Sequence, residues 1–222
     1  MWVARMTARS DTWRLDARGR SCGDYDAVVI AHNGKCANRL VASAGKVPGV
    51  LRQLRRLKLS AAWVVMVAFA VDPLLEGTQL HGMHVRGCPA LAWAGYNNSK
   101  LDALQDSSMR CWTLISTGEY GRANKVPQEA VPVDVATRVT GDLLEAWRAA
   151  LGVPALPPVV FSRAQLWGAA LPVNSPGVEC VWDAEGRVGA WVGFPPPPLI
   201  NVWCAWQGFA GTGCWVAGYL RH

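Results

Sequence analysis

The sequence lacks the usual mark of a nucleotide-binding turn. No G-x-G-x-x-G follows a strand-like run anywhere in its 222 residues, and Gly118 and Gly121 come late and lack a third glycine. His32-Asn-Gly-Lys35 is not a phosphate loop either, because Val29 and Cys36 stand where that loop needs a glycine and a Ser or Thr. Histidine is scarce. His81 and His84 could share a helix face, but their neighbourhood reads as strand and turn, where they point to opposite faces, so a metal site is not expected. No nucleophile elbow surrounds Ser116, Ser162 or Ser175. No carboxylate pair can be argued from spacing. The cysteines Cys22, Cys36, Cys88, Cys111, Cys180, Cys204 and Cys214 are odd in number, widely spaced and without a C-x-x-C pair. Reduced, mostly buried thiols in a reducing compartment fit this usage, with Cys36 and Cys111 as small core residues.

Long apolar runs are also few. Ala61 to Val71 is uncharged but shorter than the roughly 20 residues of a spanning helix. Leu199 to Leu220 is long enough, yet Asn201, Gln207 and four glycines weaken both helix and insertion, so a membrane partner is not expected. The first sixteen residues carry no continuous apolar stretch, since Arg5, Arg9, Asp11, Arg14 and Asp16 interrupt it. An intracellular chain, cytoplasmic or plastid, is the expectation.

What the chain has is apolar content and tryptophan. Half the residues are apolar (51%), enough for a sizeable core. The net charge is +6, but the bases are spread out. Only Arg52, Arg55, Arg56 and Lys58 cluster, at a spacing that suits the solvated face of a short helix. No DNA or RNA recognition module accompanies them, so nucleic acid is not an expected partner. The 12 tryptophans could stack on flat rings or sugars. Most, such as Trp63 and Trp112, lie in strand patterns and read as core.

Strands are expected over Trp2–Met6 and Thr12–Asp16, then a turn through Ala17–Gly23. Asp26–Ala31 is a continuous apolar run of the kind buried on both faces in a parallel sheet. A turn, Ala31–Gly34, leads to a short helix over Lys35–Ser43. From Ala61 to Ala70 both alternating faces are apolar, so both must be covered. Leu80–Val85, Ala90–Tyr96, Cys111–Thr117 and Val159–Leu166 are further strands. Between them, Val135, Val139, Leu143, Trp147 and Leu151 recur every four residues, which predicts a helix over Val133–Leu151 with Pro132 at its start and Gly152 past its end. Trp147 then belongs to the buried stripe. From Val188 to Leu220 no charge and no clear period remain, and Pro195–Pro198 reads as polyproline.

Five strings stand in an order that a known family shares: residues 26–40 (Asp-Ala-Val-Val-Ile-Ala-His-Asn-Gly-Lys-Cys-Ala-Asn-Arg-Leu), residues 91–100 (Leu-Ala-Trp-Ala-Gly-Tyr-Asn-Asn-Ser-Lys), Cys111–Thr117, Asn124–Glu129 and Gln165–Pro172. From about Met1 to Gly189 the chain resembles the renalase-like flavin-containing amine oxidases, FAD/NAD(P)-binding oxidoreductases, in their plant, algal and bacterial branch. These are similar to the p-hydroxybenzoate hydroxylase-like flavoproteins. The resemblance implies an α/β (α+β) fold: a partial FAD-binding Rossmann-like domain plus a substrate domain with a mixed or antiparallel sheet. Residues 1–50 would be the remnant of the FAD-binding domain, 51–170 the substrate domain, 171–189 a return to the FAD-binding domain and 190–222 an atypical tail. The implied cofactor is FAD, with Ala31, His32, Asn33 and Gly34 beside it. Trp93, Asn97, Asn98 and Trp167 would face the substrate, a small molecule such as an amine or a reduced nicotinamide.

The implied chemistry is hydride transfer to the flavin from a C–H next to nitrogen or oxygen, with the cofactor carrying the hard step. Residues in catalytic roles are not assigned by the resemblance. The family opens with a strand, a G-x-G-x-x-G turn and a helix that receives the diphosphate, and here the chain starts downstream of that unit. The family closes with a Gly-Asp motif, where this chain runs from Gly186-Arg-Val-Gly189 into Ala190-Trp-Val-Gly-Phe194 and four prolines. That tail looks like an altered reading frame or retained intron. A fragment of such an enzyme is the expectation, and a non-catalytic binding protein derived from the family is the alternative.

Overall fold

The computed structural model describes residues 3–31, 34–70, 81–101, 104, 108–174 and 180–191. The chain forms two compact units, Met1–Leu59 with Pro172–His222, and Ser60–Leu171.

The first unit opens with an antiparallel meander of β1 (Arg5–Ala8), β2 (Trp13–Ala17) and β3 (Arg20–Tyr25). β2 alternates in burial, with Trp13, Leu15 and Ala17 inward. The turn expected through Gly23 is shorter. Only Arg18 and Gly19 turn, both at positive φ (50° and 75°), the backbone of a tight two-residue hairpin. Arg20 to Tyr25 has weak strand character in sequence, and its ladder with β2 holds it extended. β4 (Val28–Ile30) pairs in parallel with β11 (Val188–Trp191), which pairs antiparallel with β10 (Cys180–Asp183). The parallel pairing matches the apolar run over 26–31, but the run is covered on one face only. Val28 and Ile30 are buried, while Val29 is 43% exposed. Helices α1 (Gly34–Ala44) and α2 (Pro48–Arg56) close the core through Leu40, Val41, Val50 and Leu54. Arg52, Arg55 and Arg56 lie on the exposed side of α2. Asn174 fastens the end of α2 by accepting from Lys58 N–H (2.6 Å) and donating to the Arg56 carbonyl (2.9 Å).

The second unit is a five-stranded sheet in the order β6 (Gly82–His84), β7 (Leu91–Tyr96), β8 (Met109–Ser116), β5 (Leu59–Ala70), β9 (Val159–Pro172). β6, β7, β8 and β5 pair antiparallel. β5 lies inside the sheet and is buried along nearly its whole length, as its doubly apolar pattern requires. β9 runs on to Pro172, past the expected Leu166.

Two helices serve this sheet. α3 (Gly118–Ala123) is capped by Thr117, whose Oγ1 accepts from Tyr120 N–H (3.1 Å). It comes so close to β5 that a Cβ on Gly121 would lie 2.3 Å from the Ala61 carbonyl oxygen. α4 (Val133–Leu151) has the expected bounds. Pro132 precedes it, and Gly152 ends it at φ 68° in the left-handed region. Val139, Leu143 and Trp147 of its stripe are fully buried. The Trp147 ring lies 4.7 Å from that of Trp112 and 5.4 Å from that of Phe69. A polar clamp ties α3 to α4: Tyr120 Oη donates to Asp142, Arg138 pairs with Asp142 at 3.5 Å, and Arg138 donates to Asn124 Oδ1 at 2.7 Å. The Asn124 carbonyl in turn accepts from Trp63 Nε1 at 3.1 Å. Among the described residues no helix is long and apolar enough to cross a membrane.

Two predictions follow from this packing. Trp147→Ala should cost about 3–5 kcal/mol in urea unfolding, the range for a buried aromatic. Trp147→Phe should cost less, since the buried Trp147 Nε1 has no partner among the described residues. Equal losses in the two variants would contradict this. The second concerns pH. Burial, then the bond and charge of Asp142, push the Tyr120 hydroxyl well above the ordinary tyrosine value. A raised pKa means the folded state keeps its proton longer. Its stabilisation is complete below about pH 10 and lost as pH rises further. Ultraviolet titration should show one tyrosine ionising late, and Tyr120→Phe should remove that phase.

Candidate functional site

The sheet of the second unit has two faces. One packs on α4 through Trp63, Phe69, Ala94, Trp112, Leu114 and Leu166. The opposite face is built from the alternate positions. Strand register sets Gly82, Gly95, Thr113 and Met66 in one row across it, and His84, Trp93, Ile115 and Val64 in the next.

Trp93 leans from its own row across the glycines. A Cβ on Gly95 would stand 1.9 Å from Trp93 Cη2, and one on Gly82 would stand 3.1 Å from Cζ2. The two glycines therefore make a backbone shelf on which the indole lies. Lys100 Nζ sits over the ring, 4.8 Å from its centroid, a cation–π contact. Asn97 Nδ2 donates to Thr113 Oγ1 at 3.0 Å, which places the Asn97 amide on this face. Trp167 is 38% exposed. Its neighbour Leu166 packs toward α4, and Gly168 N–H donates to Gln128 Oε1 at 2.9 Å in the loop before α4, so alternation turns Trp167 to the opposite face.

Asn98 is different. It is buried, donates twice from Nδ2, to Leu104 O (2.7 Å) and Met109 O (2.8 Å), and accepts from Cys111 N–H at 2.7 Å. Those bonds commit both of its amide N–H groups and one oxygen lone pair to the connection between β7 and β8. Sequence reasoning did not single out Gly82, Gly95, Thr113 or Lys100. A glycine inside a strand is the signal that could have found the shelf, since it marks close approach.

In the first unit, Ala31 is exposed where β4 ends, and Gly34 is buried at the first residue of α1. His32 and Asn33 lie outside the described residues. A Cβ on Gly34 would stand 2.6 Å from Leu57 Cδ1. Its missing side chain thus serves packing against Leu57 and opens no cradle for a phosphate. In sequence no G-x-G-x-x-G turn follows either parallel strand. A surface depression of about 390 Å³ is lined by Pro48, Leu51, Arg52, Arg55 and Arg56 and contains none of the expected site residues. Among the described residues no three His, Cys, Asp or Glu side chains gather as metal ligands. Burial pushes the Cys111 thiol up, which disfavours a nucleophilic thiolate there.

The chain matches no protein-family model, and no curated protein matches its sequence significantly. Solved structures do share its fold. It is similar to the cyclohexylamine oxidase of Brevibacterium oxydans, at 16% identity and TM-score 0.57, over 85% of this chain and 41% of that one. It is similar to a protein of Exiguobacterium sp. assigned as a protoporphyrinogen oxidase, at 12% identity and TM-score 0.52, over 79% of this chain and 36% of that one. A UDP-galactopyranose mutase solved in its reduced form aligns at 11% identity and TM-score 0.53, over 77% and 34%. The chain spans about a third to two fifths of the length of these proteins. The likeness establishes the fold alone, a mixed α/β unit with a parallel strand pair and a second unit built on an antiparallel sheet.

The shelf generates a double-mutant prediction. Gly95→Ala should destabilise the protein by forcing Trp93 off its place, and Trp93→Ala should relieve that cost. Urea unfolding should give a coupling of about 1 kcal/mol or more between the two sites. Additive losses would contradict the contact.

Proposed function

We propose that this chain is the later part of an FAD-dependent oxidoreductase of the renalase-like amine oxidase type. The unit of residues 1–59 and 172–222, in which α2 falls rather than in the unit expected from residue 51, is its FAD-binding side, and the unit of residues 60–171 its substrate side. The site face carries Trp93, Asn97 and Trp167 toward a small substrate, an amine or a reduced nicotinamide, and Ala31 to Gly34 lie beside the FAD. The reaction class is oxidation of a C–H next to nitrogen or oxygen, in a cytoplasmic or plastid setting. The observation that supports this most is the architecture, which aligns over 85% of the chain with an amine oxidase.

In that reading this chain's residues orient and desolvate. The Trp93 indole, held on the Gly82–Gly95 shelf with Lys100 over its ring, excludes water from this part of the sheet. The Asn97–Thr113 pair supplies polar contacts beside it. Neither is an acid or base of the right strength to move the substrate's protons at neutral pH, so the chain's share of the work is positioning.

The reading predicts that the 222-residue chain, mixed with excess FAD and desalted, keeps no visible flavin absorbance. The same chain extended by the in-frame polypeptide encoded upstream of Met1 should retain about one flavin per chain, the group being gripped by the glycine-rich turn. An extended protein that stays colourless would sink the reading. It would favour instead a non-catalytic binding protein, for which the missing cradle already speaks.

A further inference from the structure

The positive charge of this chain is concentrated in one helical hairpin. From Ala27 to Val71 the sequence holds no Asp or Glu and seven bases: Lys35, Arg39, Lys46, Arg52, Arg55, Arg56 and Lys58. Without these seven, 15 of the 22 bases would stand against 16 acids, so they account for the whole net charge of +6. All seven are exposed, on or beside α1 and α2, which pack on each other. Among the described residues none of them takes part in an ion pair. Asp183 lies at the start of α2, beside Gly49, and its Oδ1 accepts from Gly186 N–H at 2.6 Å.

Helix stability does not require this charge. Cations suit the last turn of a helix, which in α2 covers Arg55 and Arg56 only. Lys35 stands in the first turn of α1, where a cation is disfavoured. Pro48, Leu51, Arg52, Arg55 and Arg56 recur at spacings of three and four residues and so share one stripe of α2. They line the depression of about 390 Å³, where two apolar side chains and three guanidinium groups meet in one concavity.

We propose that this stripe of α2 binds an acidic polypeptide segment, with carboxylates on Arg52, Arg55 and Arg56 and an apolar side chain against Pro48 and Leu51. The planar guanidinium fork matches a carboxylate bidentately. Arg52 and Arg56 are about 6 Å apart along the helix axis. Alternate side chains of an extended peptide are about 6.6 Å apart, so two carboxylates at that spacing meet both arginines. A lipid surface is disfavoured, because Val50 and Leu54, the apolar stripe of α2, are buried in the core and cannot insert. A nucleic-acid duplex presents phosphates but no apolar group to Pro48 and Leu51.

Fluorescence anisotropy of a labelled peptide, Ser-Glu-Leu-Glu-Ser-Glu-Leu-Glu-Ser, titrated with the 222-residue chain at physiological salt tests this. Binding should saturate, and Arg52→Glu and Arg55→Glu should each weaken it at least about tenfold. Replacing both leucines of the peptide by serine should also weaken it. Arg163→Glu makes the same charge change at an exposed position of the other unit and should leave binding within about twofold. All three substitutions are at exposed positions, and their circular dichroism should match that of the unaltered chain. Absence of saturable binding overturns the proposal. So does an equal loss in Arg163→Glu and Arg52→Glu, which marks a response to net charge alone. Tighter binding of a DNA duplex or of phosphatidylserine vesicles, lost in Arg52→Glu, overturns the assignment to an acidic polypeptide.

Discussion

The second unit depends on one packing arrangement, Trp147 of α4 set against Trp112 and Phe69 of the sheet. From Ala61 to Ala70 β5 is apolar at every position, so neither face of that stretch tolerates water. α4 meets the requirement on one face by presenting Val139, Leu143 and Trp147 at helical spacing. On the opposite face Val64, Ala68, Thr113 and Ile115 are buried as well. The clamp of Tyr120, Asp142, Arg138 and Asn124 then fixes α3 and α4 around the same strand.

Both units use a glycine to lay a tryptophan flat on a sheet. Gly95, with Gly82 beside it, carries Trp93, and Gly189 carries Trp182. A side chain in place of either glycine would collide with the ring within 3 Å. The result in each case is a smooth aromatic surface made from backbone and one indole. In the second unit this surface adjoins polar groups, Asn97, Thr113 and Lys100. In the first it adjoins Val29 and an open strand edge.

Much of this was legible in the sequence where a single period dominates. The helix over Val133–Leu151, its glycine end and the buried Trp147 follow from a four-residue repeat. The covered strand β5 follows from two apolar faces, and the parallel pairing of β4 from an apolar run. β3 was missed because Arg20-Ser-Cys-Gly-Asp-Tyr25 has turn-like composition, and only its ladder with β2 makes it a strand. The one-sided burial of β4 was missed because a run of apolar residues cannot say which face another element covers. Of the expected site residues, Trp93, Asn97 and Trp167 share a face. Asn98, next in sequence to Asn97, turns inward to bond the backbone of its own loop. Spacing alone does not separate two adjacent asparagines in a turn, since the direction of each depends on which backbone groups need a partner.

The proposed function requires a diphosphate cradle encoded outside these 222 residues. Reading the genomic sequence immediately upstream of Met1 and across Gly189 tests it most directly. The account predicts a strand, a G-x-G-x-x-G turn and a helix in frame upstream, and a Gly-Asp turn in another frame beyond Gly189. An upstream sequence that ends in a stop codon or encodes no glycine-rich turn, in transcripts that begin at Met1, would contradict it.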